Sequence, residues 1–380
     1  MKLIVVQPYL NLKGGAERVM LKIAQHYGAP IFLLEYNPKT TFGEFKDLDV
    51  RIVGKKVPLS ERLPYRASQG LRYGYNFYNL KISDDYDVLN AHISPSEWVR
   101  HRNERVLWYC HTPPREVYDL YDVRMRHRSY RDKLLYSTMA KTYRFISGRV
   151  VKNIELIATN SVNTRQRIKK YYARDSTVIN PGIDFDEYEN AGDDRYFLCP
   201  SRISPNKGQD FVIDAYRRFC ARSKKAYGLV LAGTLSKDPE HAAYLAKLKS
   251  AAKGLNVRIK ENLSDNEMKR LYASATAVLL APQNEDFGLV YLEAMSSSKP
   301  IISINEGEPL RLVQEGKTGF LVDSVQKMAE RMRALVEDKN LAESMGRAAR
   351  REAVSKYSWG AFFRKFDSAL ARVKKQQQSL

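Results

Sequence analysis

The chain of 380 residues contains only three cysteines and no long apolar run. Cys110, Cys199 and Cys220 are too few and too scattered for a disulfide framework or a cysteine-based zinc site, so a reducing compartment is expected. No segment approaches the ~20 apolar residues that a membrane-spanning helix requires. The N-terminal apolar stretch is too short for a signal peptide. These absences predict a cytoplasmic protein, either free in solution or peripheral on the cytoplasmic face of a membrane.

Acidic residues are also scarce, because 63 lysines and arginines face 43 aspartates and glutamates, which gives a net charge of +20. The excess is ten in residues 1–190 and ten in residues 191–380, so it is not confined to a basic tail. A net positive charge of this size indicates an anionic partner, such as a phosphorylated ligand, an acidic membrane or a nucleic acid.

Short apolar runs alternate with helical patterns in two successive series along the chain. This alternation predicts an α/β fold of two doubly wound, parallel-sheet domains, which bind ligands at the carboxyl ends of their strands. Two such domains facing each other would place those ends across a central cleft. An acidic, polar stretch over residues 184–195 indicates the linker. The predicted divisions are a first domain at 1–183, a second at 184–359 and a C-terminal helical segment at 360–380.

Gly14 and Gly15 follow the first strand and open a helix. Backbone N–H groups at a helix start can accept a phosphate or a carboxylate when no side chain obstructs them. The same pair is equally compatible with a tight strand-to-helix turn. It lacks the GxGxxG spacing of a dinucleotide-binding loop.

Arg202 and Lys207 lie in the loop that leaves the first strand of the second domain. A guanidinium and an ammonium ahead of a helix N-terminus suit a diphosphate. A solvated loop with two cations is the alternative.

Glu285 and Glu293 follow a strand later in the same domain. If most of that segment were helical, the two carboxylates would be about 12 Å apart along the axis. That is too far for a glycosidase pair, which needs roughly 5 to 9.5 Å. They suit instead the hydroxyls at opposite ends of an extended ligand, with the N–H groups of residues 287–290 facing its phosphates. Spacing alone favours two ordinary helix glutamates.

His111 comes directly after a predicted strand, where a side chain of a parallel sheet reaches the ligand crevice. Its imidazole could bond a sugar hydroxyl, or it could be a loop histidine without a partner. His26, His92, His101, His127 and His241 show no metal-ligand spacing, so no metal is expected. The aspartate pairs at 47/49 and 184/186 are interpreted as chance.

Residues 124–152 carry nine cations and one acid, interleaved with aromatic and aliphatic residues. The apolar positions 135, 139, 143 and 146 follow a helical stripe. The segment could lie on an anionic membrane or simply pack by its stripe with a solvated basic face. Nucleic-acid binding is not expected, since no helix-turn-helix, zinc or RNP-type signature accompanies the charge.

Taken in order, these motifs resemble the retaining GT-B glycosyltransferases of family GT4, over almost the whole chain. The most specific parts are Glu285-x7-Glu293 and Ser201-Arg202 through Lys207-Gly208. Weaker signposts include Gly14-Gly15-Ala-Glu-Arg and Asn180-Pro-Gly-Ile-Asp. The stretch Tyr109-Cys-His-Thr-Pro-Pro-Arg115 is similar to the mannosyltransferases of polysaccharide and lipid-linked glycan assembly.

The resemblance implies a role for each candidate residue. Arg202 and Lys207 would bind the donor diphosphate, and Glu293 would hold the ribose. Glu285 and His111 would contact the donor hexose. Backbone at Phe287, Gly288, Leu289 and Val290 would meet the phosphates, and Gly14 and Gly15 would approach them from the first domain. No metal or other cofactor would be needed, and the last helix would pack on the first domain.

The expected activity is therefore retaining transfer of a hexose from a nucleotide sugar, mannose from GDP-mannose, to a glycan or lipid-linked acceptor at a membrane. The alternatives are a UDP-glucose or UDP-N-acetylglucosamine donor, or a nucleotide-sugar epimerase on the same fold. A basic nucleic-acid-binding protein is the alternative outside the enzymes.

Overall fold

The computed structural model describes residues 1–126, 128–235 and 239–375. The chain forms two compact units, Met1–Asn180 with the chain from Phe363 onward, and Pro181–Phe362. The sequence-based divisions fall at 183/184 and 359/360. His127 of the basic segment and residues 376–380 of the predicted C-terminal segment lie outside the described residues.

The first unit is built on a parallel sheet of seven strands in the order β5-β3-β1-β6-β7-β8-β9, with a separate two-stranded ladder of β2 and β4. Its central strands are fully buried apolar runs, as expected for a parallel sheet covered on both faces. The strands are β1 (Leu3–Val6), β2 (Tyr9–Leu10), β3 (Ile31–Leu33), β4 (Glu35–Tyr36), β5 (Val50–Ile52), β6 (Val88–Ala91), β7 (Val106–Cys110), β8 (Leu156–Thr159) and β9 (Thr177–Val178).

Five helices follow these strands in the first unit: α1 (Gly15–Tyr27), α2 (Tyr65–Asn79), α3 (Tyr121–Arg126), α4 (Tyr130–Lys152) and α5 (Val162–Tyr172). Ser129 and Ser161 cap α4 and α5 by accepting a backbone N–H with the side-chain oxygen. These caps explain where both helices begin.

The second unit holds a parallel sheet of six strands in the order β12-β11-β10-β13-β14-β15. The strands are β10 (Tyr196–Pro200), β11 (Gly228–Gly233), β12 (Val257–Glu261), β13 (Ala277–Leu280), β14 (Ile301–Ile304) and β15 (Gly319–Val322). The helices are α6 (Gln209–Arg222), α7 (Pro239–Ala251), α8 (Asp265–Ser274), α9 (Leu289–Ser296), α10 (Pro309–Leu312), α11 (Val325–Glu337) and α12 (Lys339–Lys356). Helices cover both faces, and Tyr216 and Tyr291 are fully buried on opposite ones.

The last helix, α13 (Trp359–Lys375), contributes its residues from Phe363 onward to the first unit. There the Phe363 ring stacks on His26 with centroids 3.8 Å apart, and Tyr27 donates a hydrogen bond to Asp367 over 2.6 Å. Phe366 is fully buried. The helix therefore supplies core residues to a sheet whose first strand lies more than 350 residues earlier in the chain.

The basic segment forms two helices, α3 and α4. The buried positions of α4 are Ala140, Ser147, Val150 and Val151. The predicted apolar stripe at 135, 139, 143 and 146 is half-buried. Two of its members, Tyr143 and Ile146, pack against the buried core of the first unit. Among the described residues, no helix combines the length and apolar character needed to cross a bilayer.

Candidate active site

In both sheets the strand order reverses next to the first strand of the unit, between β1 and β6 and between β10 and β13. Loops that leave two neighbouring strands in opposite directions open a crevice at their carboxyl ends, which is where doubly wound sheets bind ligands. In the second unit, Arg202 and Lys207 follow β10, and Glu285 follows β13. The candidate donor residues therefore lie at this reversal point.

Lys207 and Glu285 form an ion pair, with Nζ and Oε2 2.6 Å apart. Their side chains are only 16% and 13% exposed, so little water is left to solvate either charge. Each charge therefore depends on the other, and removal of one would leave a poorly solvated partner. The structure brings together a cation predicted for the diphosphate and a carboxylate predicted for the hexose.

Two backbone features position the loop that carries these cations. Gly208 has φ +64°, and a Cβ there would overlap the carbonyl oxygen of Ala281, so only glycine lets the loop approach the end of β13 this closely. Gln209 donates to Ser201 Oγ over 2.9 Å and to the Arg202 carbonyl over 2.8 Å. The Arg202 side chain is exposed and forms no ion pair with any residue that the structure describes.

The start of α9 has N–H groups without side-chain caps. Gly288, at φ +82°, is the N-cap residue and has no side chain with which to cap the helix, and the first turn contains no acid. Phe287 is buried and anchors the turn, whereas Leu289 and Val290 are half-buried. Uncapped amides at a helix start attract anions through hydrogen bonding and the helix dipole.

Glu293 lies in the second turn of α9, where its Oε2 accepts a hydrogen bond from Tyr272 over 2.7 Å. Burial, and the neighbouring carboxylate, raise the pKa of Tyr272, which keeps its hydroxyl a donor. Only residues from Leu289 onward are helical. The helical separation of about 12 Å between the two glutamates therefore does not apply, since half of the segment is a loop.

In the first unit, Gly14 caps α1 and Gly15 is its first residue. A Cβ on Gly14 would lie 2.5 Å from Glu17 Oε2 and 2.8 Å from Leu12 Cδ1, which are the movable ends of two side chains. The Gly14 backbone is extended, so its conformation alone does not require glycine. Gly15 is exposed at the helix start.

His111 follows β7 and belongs to a chain of three polar side chains. Its Nε2 lies 3.0 Å from His92 Nδ1, and His92 Nε2 lies 2.8 Å from Asn90 Oδ1. Asn90 Nδ2 donates to the Leu107 carbonyl, which fixes the orientation of the amide. The network then assigns the protons. His92 donates from Nε2, and His111 donates to His92 Nδ1, which leaves Nδ1 of His111 as the acceptor.

Both imidazoles are neutral at physiological pH. Burial lowers the pKa of His111 to about 3, and burial together with His111 lowers that of His92 well below its usual value. The His111 backbone is also held, since Asn160 donates to its carbonyl over 2.9 Å. The result is a fixed, uncharged hydrogen-bonding group at a strand end.

Sequence reasoning missed Asn90 and His92 as members of this network. It also passed over Gln7, which follows β1 and whose buried Oε1 has no hydrogen-bond partner among the described residues. His92 follows β6 as His111 follows β7, so the same strand-end signal was present for both histidines. The sequence could not show that two loops 19 residues apart bring the rings into contact.

No group of three or more histidine, cysteine, aspartate or glutamate side chains in the described part of the chain could hold a metal ion. Of the two aspartate pairs, Asp49 forms an ion pair with Arg51 over 2.6 Å. Asp184 precedes a short 3-10 helix without a side-chain capping bond.

Two family models match consecutive parts of the chain. The model described as Glycosyltransferase Family 4 matches residues 13–187, and the model described as Glycosyl transferases group 1 matches residues 182–352. Together they span both units, including the Gly14-Gly15 turn, the Lys207 loop and the Glu285 segment.

Full-length relatives are similar to the chain at modest identity. Alpha-1,3/1,6-mannosyltransferase ALG2 of Mus musculus is 26% identical and covers 92% of this chain and 91% of its own length. The D-inositol 3-phosphate glycosyltransferase of Corynebacterium aurimucosum is 25% identical, covering 93% and 90%. Among solved structures, Anabaena Alr3699/HepE in complex with UDP and glucose superposes with a TM-score of 0.74 at 19% identity, over 98% of this chain and 99% of that one. The chain belongs to the GT-B glycosyltransferases of family 4, group 1.

Proposed function

We propose that this glycosyltransferase transfers mannose from GDP-mannose to a glycan or lipid-linked acceptor, with retention of anomeric configuration. The Lys207–Glu285 pair at the β10/β13 reversal carries the proposal, because it places a cation and a hydroxyl-binding carboxylate together beside the uncapped start of α9. The similarity to a mannosyltransferase over 92% of the chain supports the choice of sugar.

The donor diphosphate binds to the two cations of the loop that follows β10. Arg202, which is exposed, and Lys207 bind the diphosphate oxygens. The first backbone amides of α9 act as further hydrogen-bond donors. Lys207 must then exchange Glu285 for phosphate, which frees the Glu285 carboxylate to accept hydroxyls of the hexose. Glu293, already oriented by Tyr272, accepts the ribose hydroxyls.

Transfer breaks the bond between the sugar C1 and the diphosphate oxygen, and the bonding electrons leave with the diphosphate. Arg202 and Lys207 stabilise that charge without a metal ion, while C1 becomes oxocarbenium-like. The acceptor oxygen bonds to C1 as its hydroxyl proton passes to the departing diphosphate oxygen. The neutral His111 contributes its Nδ1 lone pair to a donor-sugar hydroxyl. The exposed N–H of Gly15 at the start of α1 is a further candidate donor to an anion.

Nucleotide binding by thermal shift tests this function. GDP, UDP, ADP and their sugar conjugates are compared, each with EDTA, on the wild type and on Arg202→Ala/Lys207→Ala. Ligand at a hundred times its Kd should stabilise the native state by about 2.7 kcal/mol. A GDP response that the double variant lacks supports the proposal, and a response that needs added metal contradicts its metal-free form.

A UDP-sugar donor, such as UDP-glucose or UDP-N-acetylglucosamine, is the second candidate, favoured by the match to the structure of HepE with UDP-glucose, with a TM-score of 0.73. Stabilisation by UDP and not by GDP would select it. No response to any nucleotide would contradict both donors.

We also propose that the basic segment 124–152 contacts an anionic membrane. Arg126 and Arg131 are exposed, as are Tyr130 and Leu134. Each cation near an acidic surface contributes about 1 kcal/mol. Reversal of Arg124, Arg126, Arg128 and Arg131 should abolish sedimentation with phosphatidylserine vesicles. Unchanged sedimentation would refute the membrane contact.

A further inference from the structure

A pocket of about 410 Å³ lies on the second unit, between α12 and the turn that joins α9 to β14. Its lining residues are Ser298, Arg347, Arg350, Arg351, Val354 and Ser355. Ser298 precedes the amino end of β14, whereas Arg202, Lys207 and Glu285 follow the carboxyl ends of β10 and β13. The pocket is therefore at the opposite edge of the sheet from the candidate donor residues and shares none of them.

A close approach of α12 to this turn forms the pocket. A Cβ on Gly346 would overlap the carbonyl oxygen of Ser298, so the helix can lie this close to the turn only with glycine at this position. Positions 347, 351 and 354 follow at helical spacing and share one face of α12. The contact at Gly346 therefore holds the cations of that face beside the Ser298 turn.

Three guanidinium groups line the pocket, and no carboxylate does so among the residues that the structure describes. Arg350 and Arg351 follow Arg347 by three and four residues on α12. Like charges at these two spacings destabilise a helix. The helix therefore carries an electrostatic cost at this point, which a bound anion would relieve.

Neighbouring acids neutralise little of this charge. Arg347 Nη1 lies 3.3 Å from Glu343 Oε2, but the two side chains are 60% and 64% exposed, so the pair is weak. Arg351 forms no ion pair with any residue that the structure describes. Glu352, its neighbour in sequence, pairs with Lys356 over 2.5 Å instead.

Arg350 is half-buried and held in place by uncharged groups. Its Nη1 donates to the carbonyl oxygen of Tyr188 over 2.8 Å and to that of Ser296, the last residue of α9. These bonds fix the guanidinium without cancelling its charge. A cation that is already ordered loses less conformational freedom when an anion binds.

Phosphate fits these groups, because guanidinium binds phosphate oxygens through paired N–H donors. The half-buried Ser298 hydroxyl has no hydrogen-bond partner among the described residues and can donate to a further oxygen. The surroundings do not suit a bilayer, since Leu310 and Val354 are the two large apolar side chains exposed in the described part of the second unit. These features favour a soluble phosphate ester over a lipid headgroup.

We propose that this pocket binds the phosphate of a soluble phosphomonoester at Arg347, Arg350 and Arg351. A phosphomonoester carries between one and two negative charges near neutral pH, which matches three clustered cations. The volume lies within the ~300–1,000 Å³ of small-molecule sites, so it can hold part of the esterified molecule as well. The proposal goes beyond the proposed function and does not depend on it.

Calorimetry with glycerol 3-phosphate tests the proposal on the full chain. The wild type should show a saturable site for which inorganic phosphate competes. Dimethyl phosphate, which carries a single charge, should bind at least fivefold more weakly, and glycerol should not bind. Absence of saturable binding, or equal binding of glycerol 3-phosphate and dimethyl phosphate, would overturn the proposal.

Arg347→Ala/Arg351→Ala removes two of the cations and leaves Arg350, which holds the end of α9. It should weaken glycerol 3-phosphate binding at least tenfold without lowering the thermal midpoint of the free protein, since it relieves like-charge repulsion. Arg218→Ala/Arg222→Ala is the matched control, because both residues are exposed at the same spacing on α6, outside the pocket. It should bind as the wild type does. Equal affinities in the two double variants would refute the site.

Vesicles distinguish a soluble ligand from a lipid headgroup. Sedimentation with phosphatidic acid vesicles should be the same for Arg347→Ala/Arg351→Ala and Arg218→Ala/Arg222→Ala, because each variant lowers the net charge by the same amount. A larger loss in Arg347→Ala/Arg351→Ala would mean that these arginines contact a membrane, and it would overturn the choice of a soluble ligand.

Arg202→Ala separates this pocket from the proposed donor site. The variant should bind glycerol 3-phosphate as the wild type does, and loss of binding would place the phosphate at the donor loop and refute the pocket. Conversely, Arg347→Ala/Arg351→Ala should keep the full nucleotide response in the thermal shift. A wild type that binds glycerol 3-phosphate through Arg347 and Arg351 but binds no nucleotide retains the pocket and refutes the donor site.

Discussion

The two units contain the same kind of sheet, but the side chains at their strand-order reversals differ in charge. At β10/β13 the side chains that meet are charged, Lys207 and Glu285, 2.6 Å apart. In the first unit the groups that meet are neutral, with His111, His92 and Asn90 joined by hydrogen bonds of 3.0 and 2.8 Å. Shared topology therefore puts a candidate site at the same point of each sheet, and the two candidate sites differ in charge.

Charge is useful where the charge of the ligand changes. A departing diphosphate gains negative charge, so a preorganised cation lowers the barrier. A carbon becoming oxocarbenium-like would be opposed by a second positive charge, and a neutral imidazole avoids that penalty. The low pKa of His111 is consistent with that division, because burial keeps the ring uncharged.

Lys207→Ala should produce the largest effect. It removes the cation that stabilises the leaving group, and we expect kcat to fall by about 10²- to 10³-fold. It also leaves Glu285 poorly solvated, which should lower the free energy of unfolding by about 3 kcal/mol. Steady-state kinetics and urea denaturation measure the two losses.

Lys247→Ala is the control for that variant. Lys247 also pairs with a carboxylate, Asp210, over 2.6 Å, but its side chain is 63% exposed. An exposed pair contributes only ~0–1 kcal/mol, so activity and stability should stay near wild type. Comparable losses in both variants would mean that the burial of the Lys207–Glu285 pair does not increase its contribution to activity or stability.

Glu285→Gln should separate binding from catalysis. The amide no longer holds Lys207 by charge, so the ammonium is free for the diphosphate and nucleoside diphosphate should bind several-fold more tightly. The same variant loses the carboxylate for the hexose, and kcat should fall about 10²-fold, about 2.7 kcal/mol. Calorimetry with GDP and turnover assays test the two directions. Weaker nucleotide binding would contradict the proposed exchange of partners by Lys207.

The strands and helices of both units followed from periodicity, because apolar runs of four to six residues and helical stripes leave a local signal. The predicted alternation gave two parallel-sheet units, and the structure contains both. The ion pair of Lys207 with Glu285 could not be read in this way, since 78 residues separate them and β10 and β13 are not consecutive strands.

The basic segment shows a different limit. Its periodicity identified a helix, but half-buried Leu135 and Met139 gave the same pattern that a buried stripe would give. How far each position is covered depends on how α2 and α4 pack, and that is tertiary information.

The neutral state of the histidines makes stability depend on pH in a defined direction. The pKa of His92 and of His111 is lowered on folding, so below about pH 6.5 the unfolded chain binds more protons than the native one. Stability should be full above pH 6.5 and decline as pH falls toward the folded pKa, by up to about 1.4 kcal/mol per pH unit for each histidine.

Urea denaturation between pH 7.5 and pH 5 measures that slope. His92→Gln removes one of the two groups and should reduce the decline relative to the wild type over the same range. His26→Gln is the comparison, since His26 lies near the end of α1 outside this network. A wild-type slope no steeper than that of His92→Gln would show that the pair does not stay neutral on acidification.

The smallest effect concerns Asn90, which positions His111 only through His92. Asn90→Leu removes the acceptor of the His92 Nε2 proton, so the tautomers are no longer fixed, and we expect turnover to fall about tenfold, or 1.4 kcal/mol. Asn90→Asp keeps an acceptor there and should retain turnover within about threefold at pH 8. Its carboxylate also favours a protonated imidazole, because an opposite charge raises a histidine pKa. Its activity should therefore fall between pH 8 and pH 6, where the wild type stays level. Equal turnover and equal pH profiles in the two variants would mean that Asn90 supports only the packing of this strand end.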